Sequence, residues 1–67
     1  MPLTVDAWRR ARNISQREMS EKLGVHVATY QNWETTPWKI SIANVIKIAE
    51  ILDVPVNEII FDKEKAE

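Results

Sequence analysis

Apolar residues recur along this chain at spacings of three and four, and short polar breaks divide the recurrence into segments. Val5 and Trp8 carry the first segment, with Thr4 placed to cap a helix and Asp6 in its first turn, where a negative charge suits the helix dipole. The pattern weakens at Asn13, and Ile14 is expected to enter the core. Gln16 to Leu23 forms a second helix. Ser15 precedes it and Glu18 falls three residues later, the spacing at which each side chain satisfies the other's backbone N–H. Met19, Ser20 and Leu23 share one face, and Gly24 stands where a helix commonly ends in a left-handed conformation. Val25 is the apolar plug of the turn that follows, and His26 is a weak N-cap. A third helix, Val27 to Thr35, turns Tyr30 and Trp33 inward.

Residues 35–40 break the periodicity and read as a loop. Ser41 then caps a fourth helix whose expected buried stripe is Ile42, Val45, Ile48, Ala49 and Leu52. Asp53-Val54-Pro55 interrupts it. Val56 to Phe61 reads as a fifth short helix with Val56, Ile59 and Ile60 on its apolar face. No strand-like alternation is visible. The prediction is an all-α, compact five-helix domain over residues 1–61, followed by a polar tail over 62–67 that is expected to fray.

A chain of 67 residues supports one small core. With no Cys and one His, neither a disulfide framework nor a structural metal site is expected to supplement it. No membrane span or signal peptide is visible, and a cytoplasmic setting is the expectation. An enzyme is not expected either: there is no Gly-rich phosphate loop, no acid cluster at ligand spacing and no room for a sizeable pocket. No cofactor is implied. Net charge is −1, but its distribution is uneven. Residues 1–40 carry six cations against four anions, and residues 41–67 carry three against six. The positive end is the end that holds the second and third helices, as phosphate binding would need. Ordinary scatter of surface charge is the alternative.

Two short helices joined by a tight turn must lean on each other and on the rest of the chain, since neither is stable alone. The arrangement holds the outer face of the second helix rigidly outward. From Val5 to about Ile60 the residues resemble the lambda-repressor-like helix-turn-helix domain of the Cro and phage-repressor family, the XRE-type regulators. The resemblance rests on Gln16 as first motif position, small Ser20 at the helix contact and Gly24 at the turn. Met19, Leu23, Val25, Tyr30 and Trp33 fill the apolar positions, and VIKIAEILDV trails behind. It implies a transcriptional regulator that binds a double-stranded DNA operator, in a bacterial or phage-infected cell.

The resemblance also implies roles. Gln16 looks like the residue that bonds a DNA phosphate and braces the recognition helix. Val27, Ala28, Gln31 and Asn32 match the exposed recognition positions, with Thr35 at the end of that face. Arg9 and Glu34 match a structural ion pair tying the first helix to the third. The chain departs from the family pattern at Thr36, where Gly is usual, at Ile40, often Pro, and at Asp53, commonly Gly.

Asn and Gln form paired hydrogen bonds with adenine, so Gln31 and Asn32 are the candidates for base readout, while Val27 and Ala28 suit thymine methyl groups. Arg12, Arg17 and Lys39 read equally as phosphate contacts or as solvated surface. One module buries little DNA, so a homodimer reading two half-sites is a further expectation. Ile46, Ile51, Ile60 and Phe61, with Trp38, are candidates for an interface or for the far side of the core. The competing reading is a module that docks onto another regulator protein as antirepressor or co-repressor, favoured by the net charge, the apolar Val27–Ala28 pair and Trp38.

Overall fold

The computed structural model describes residues 1–63. In chain order the elements are β1 (Leu3–Thr4), α1 (Val5–Ala11), α2 (Gln16–Leu23), α3 (Val27–Thr35), a 3-10 turn (Pro37–Lys39), α4 (Ile42–Leu52), a second 3-10 turn (Val56–Glu58) and β2 (Ile59–Ile60). Each long helix except α3 begins with a side-chain cap. Thr4, Ser15 and Ser41 accept from the backbone N–H groups of Ala7, Glu18 and Asn44. At α2 the arrangement is reciprocal, because the Glu18 carboxylate also accepts from the Ser15 N–H at 3.1 Å. At α3 the N-cap is His26, and its side chain makes no capping bond.

Three helices end alike. Asn13, Gly24 and Asp53 adopt the left-handed conformation just past α1, α2 and α4. The next residue in each case, Ile14, Val25 or Val54, donates its N–H back to a carbonyl five residues earlier, on Arg9, Ser20 or Ala49. That is the Schellman ending. The same three apolar residues pack against the core. Each ending therefore stops a helix and returns the chain to the interior in one step. Gly24 meets nothing within 4 Å where a Cβ would stand, so backbone conformation rather than space selects glycine there.

The core is Val5, Met19, Leu23, Tyr30, Ile40, Ile48, Ala49, Leu52 and Ile59. Trp8 and Trp33 pack against it half-buried. The indole N–H of Trp8 donates to the Glu58 carbonyl at 2.6 Å, joining α1 to the chain 50 residues later. Arg12 closes the far side. Its Nε donates to the Leu52 carbonyl at 2.8 Å, and its guanidinium lies 5.1 Å from the Trp8 ring centre.

Two expectations change. The predicted fifth helix, Val56 to Phe61, is a single 3-10 turn followed by β2, which pairs in parallel with β1 in the register Leu3↔Ile59 and Thr4↔Ile60. Among the described residues the α-helices are four, α1 to α4. The segment is short and rich in β-branched residues, so helix nucleation has little to offer it, whereas the extended Leu3–Thr4 backbone offers hydrogen-bonding partners. Val56 is exposed, not part of an apolar helix face. Ile42 was expected in the buried stripe and is 79% exposed; the stripe of α4 begins at Val45. Ile42 occupies the first position of its helix, where no neighbour overhangs it. Most of the predicted tail, residues 64–67, lies outside the described residues.

Among the familial departures, Thr36 (φ −129°) and Ile40 (φ −73°) sit in backbone that needs neither Gly nor Pro. Asp53 is different: it holds φ 57° at a helix C-terminus, where a negative charge also opposes the dipole. Asp53→Gly should therefore raise stability by about 1 kcal/mol, net of the greater unfolded-state freedom of glycine. For a domain this small the melting temperature should rise by roughly 4–8 °C, read by circular dichroism.

Candidate nucleic-acid interface

Helix α3 is built with two unlike faces. Tyr30 is fully buried, Trp33 is half-buried against the core, and the Glu34 side chain is only 8% exposed. Val27, Ala28, Thr29, Gln31, Asn32 and Thr35 face solvent.

The inward face is held by the Glu34 carboxylate. Its Oε2 accepts from Arg9 Nε at 2.6 Å and from the Tyr30 hydroxyl, and its Oε1 accepts from Gln16 Nε2 at 2.8 Å. Arg9 uses its other nitrogens on the Ile14 carbonyl (2.8 Å) and on Asp6 (2.9 Å). One buried charge pair thus joins α1, the α1–α2 turn, α2 and α3. Burial alone would lower the Arg9 pKa. The hydrogen bond and charge of Glu34, with smaller contributions from Tyr30 and Asp6, together more than offset this, and the net shift is upward. Burial, reinforced by the bond to Glu34, pushes the Tyr30 hydroxyl well above the ordinary phenol range.

The outward face is a ridge between two open concavities. One, of about 630 Å³, lies towards α2, and Gln16, Arg17, Val25, His26, Val27 and Gln31 are among its lining residues. The other, of about 400 Å³, is lined by Thr29, Asn32, Trp33, Thr35, Thr36 and Lys39. Gln31 donates to Gln16 Oε1 at 3.1 Å across the first concavity. The Thr35 hydroxyl donates to the Gln31 carbonyl at 3.3 Å. Gln16, Arg17, Val27 and Gln31 therefore share one side of the ridge, Asn32, Thr35 and Lys39 share the other, and Ala28 is exposed on α3 itself.

Arg12 is not with them; it is held at the C-terminus of α4. Nor do the five residues considered for a partner surface form one exposed patch. Ile51 and Phe61 pack against the core, Ile60 is half-buried in β2, and Trp38 is half-buried with Lys63 Nζ 5.8 Å from its ring centre. Ile46 alone of the five is exposed, beside a separate concavity of about 470 Å³ that it shares with Val56. Sequence reading passed over Thr29 and named Thr36 only as a departure from the family pattern. They share the 400 Å³ concavity with Asn32 and Trp33, and the spacing 29, 32, 33, 36 is the one-face helical pattern that would have grouped them.

Truncating Glu34 would leave the Arg9 charge buried without its main partner. Glu34→Ala should cost about 3–5 kcal/mol in a urea unfolding curve, enough to unfold much of a domain this small. Tyr30→Phe removes one hydrogen bond to a carboxylate and should cost about 1.5–3 kcal/mol at neutral pH. Because folding raises the Tyr30 pKa, that residue's contribution is complete below about pH 10 and declines as the pH rises beyond it. The stability gap between the parent and Tyr30→Phe should therefore narrow in alkali; a constant gap up to pH 11 would contradict the assignment.

A family model described as "Helix-turn-helix" matches residues 5–59. The cryptic phage CTXphi transcriptional repressor RstR of Vibrio cholerae serotype O1 (strain ATCC 39315 / El Tor Inaba N16961) is 28% identical over 51 residues, which is 76% of this chain. The chain spans 46% of that relative's length. No solved structure matches the chain. The family match covers most of the described residues and includes the Gln16-to-Thr35 ridge, and the chain belongs to the helix-turn-helix family of Cro and phage-repressor type.

Proposed function

We propose that the chain is a sequence-specific DNA-binding transcriptional regulator that lays α3 in the major groove. The observation that carries this reading is the division of α3. Its inner face is fastened to three other parts of the fold, and its outer face presents Val27, Ala28, Gln31, Asn32 and Thr35 to solvent. A rigid polar ridge of this kind suits the groove, where amides pair with adenine and methyl-sized side chains meet thymine. Arg17 and Lys39 stand on opposite flanks of the ridge, placed for phosphates on either side, with Thr35 and the second N–H of Gln16 as further backbone contacts. Arg12 has no part in it. The relative is named a phage transcriptional repressor, which supports the same direction of action here. Pairing of two copies on half-sites one helical turn apart would supply the surface that one module lacks.

A second reading keeps the same ridge and gives it a protein partner, another regulator, with Val27 and Ala28 as apolar contacts. The two readings separate in a salt titration. Fluorescence anisotropy against duplex DNA should give a slope of log K against log salt of about −2 per bound module if Arg17 and Lys39 carry the phosphate contacts. Lys39→Ala should weaken binding evenly across sequences and flatten that slope by about 1. Asn32→Ala should instead reduce discrimination at one base pair, by roughly 5- to 150-fold. Absence of duplex binding above the non-specific level at low salt would transfer the function to the protein-partner reading.

A further inference from the structure

We propose that the concavity at the C-terminal end of α4 docks a basic, apolar segment of another protein, independently of what α3 binds. Three exposed large apolar residues, Ile42, Ile46 and Val56, lie in or beside it. Ile46 and Val56 line it together with Val54, Pro55, Glu50 and Asp53. Ile42 precedes Ile46 by four residues, on the same face of the helix. Neither concavity flanking α3 shares a lining residue with it.

The carboxylates point to the occupant. Elsewhere in residues 1–61 each acidic side chain has a partner within the fold. Asp6 faces Arg9 and Arg10, Glu18 accepts from the Ser15 N–H, and Glu21 approaches Arg17 at 4.0 Å. Glu34 holds Arg9, and Glu58 meets the Met1 amine at 3.3 Å. Glu50 and Asp53 form no ion pair among the described residues. Arg12 spends its Nε on the Leu52 carbonyl and makes no ion pair with Asp53. Asp53 is also held in the left-handed conformation at a helix C-terminus, where its backbone and its charge both work against the fold. A residue that weakens the fold at the rim of an exposed apolar concavity marks function rather than packing. A second copy of the chain suits the site poorly. A two-fold contact would bring Glu50 and Asp53 towards their own counterparts. A concavity that seats one or two side chains also falls well short of the roughly 800 Å² that each partner gives to a stable interface. A large apolar side chain flanked by Lys or Arg answers both features of the site.

The test presents a displayed library of random peptides to the full chain. Selected peptides should pair a large apolar residue with neighbouring Arg or Lys. Titrated into isotope-labelled protein, such a peptide should shift the NMR amide signals of Ile46, Glu50, Asp53 and Val56 and leave those of Gln31 and Asn32 in place. Asn tolerates the left-handed conformation and Gln suits a helix, so Asp53→Asn and Glu50→Gln remove charge without disturbing the backbone. Each should weaken the peptide by roughly two- to fivefold, the range of an exposed ion pair, and salt should weaken the parent more than the double variant. Asp53→Gly should weaken the peptide while raising the melting temperature, a combination that a merely structural role does not give. A library that yields no peptide, or only peptides without basic residues, overturns the proposal. So do shifts confined to the α3 ridge, or equal binding by the double variant. Signals of Ile46 and Val56 that move with protein concentration alone would assign the concavity to a second copy and overturn it as well.

Discussion

The fold depends on one carboxylate. Glu34 gathers a guanidinium, a phenol and a primary amide from α1, α3 and α2, and Arg9 extends the network to the turn between α1 and α2. Taking such a pair out of water costs several kcal/mol per ion, and an apolar cluster of equal volume would match it in stability. Its value lies in geometry. Greasy contacts tolerate a helix that slides or rolls by a fraction of a turn; directional bonds to both carboxylate oxygens do not. With Tyr30 and Glu34 four residues apart, both on the inner face, the roll of α3 is set, and so is the choice of residues that remain outside. A recognition surface is defined here by what the opposite face is obliged to do.

The local grammar of the helices was legible in advance. Ser15 with Glu18, Thr4, Ser41 and Gly24 all announce helix ends through interactions within four residues, and such signals survive in any tertiary setting. Non-local features were not legible. The pairing of Leu3–Thr4 with Ile59–Ile60 joins the two ends of the domain, and nothing near residue 59 reports that an extended partner is waiting. Periodicity alone therefore continued the helical pattern through Val56 to Phe61. Ile42 shows a second limit. Spacing identifies which face of α4 is apolar but not how far the neighbouring elements extend over it, and the cover begins one turn later at Val45.

The composition of the candidate site was visible for the same reason as the helix ends. Exposure on α3 follows from the inward demands of Tyr30 and Trp33, so Ala28, Gln31 and Asn32 are left over by subtraction. The long side chains were less tractable. Arg12 follows Trp8 by one helical turn and lies within reach of the open carbonyl end of α4, where a cation and a donor are both favourable. Arg17 has no such neighbour beyond a 4.0 Å approach to Glu21, and remains 84% exposed. Two arginines five residues apart thus have different surroundings, and only the packing of α4 distinguishes them.

Packing also decides where the negative net charge lies. A chain at −1 is a poor polyanion ligand if its charges are averaged, but they are not averaged in the fold. Glu34 is buried and neutralised by Arg9, and Asp6 faces Arg9 and Arg10. Glu50 and Asp53 line the concavity beside Ile46, away from the α3 ridge. The exposed residues of α3 carry no formal charge. A neutral ridge with Lys39 on one flank and Arg17 beside Glu21 on the other supplies little non-specific attraction, since that attraction scales with the phosphates neutralised. Discrimination must then come from a few directional contacts at base edges. Under those conditions a single base contact matters more than it would on a strongly basic helix, because no surplus of phosphate binding is present to mask a mismatched base.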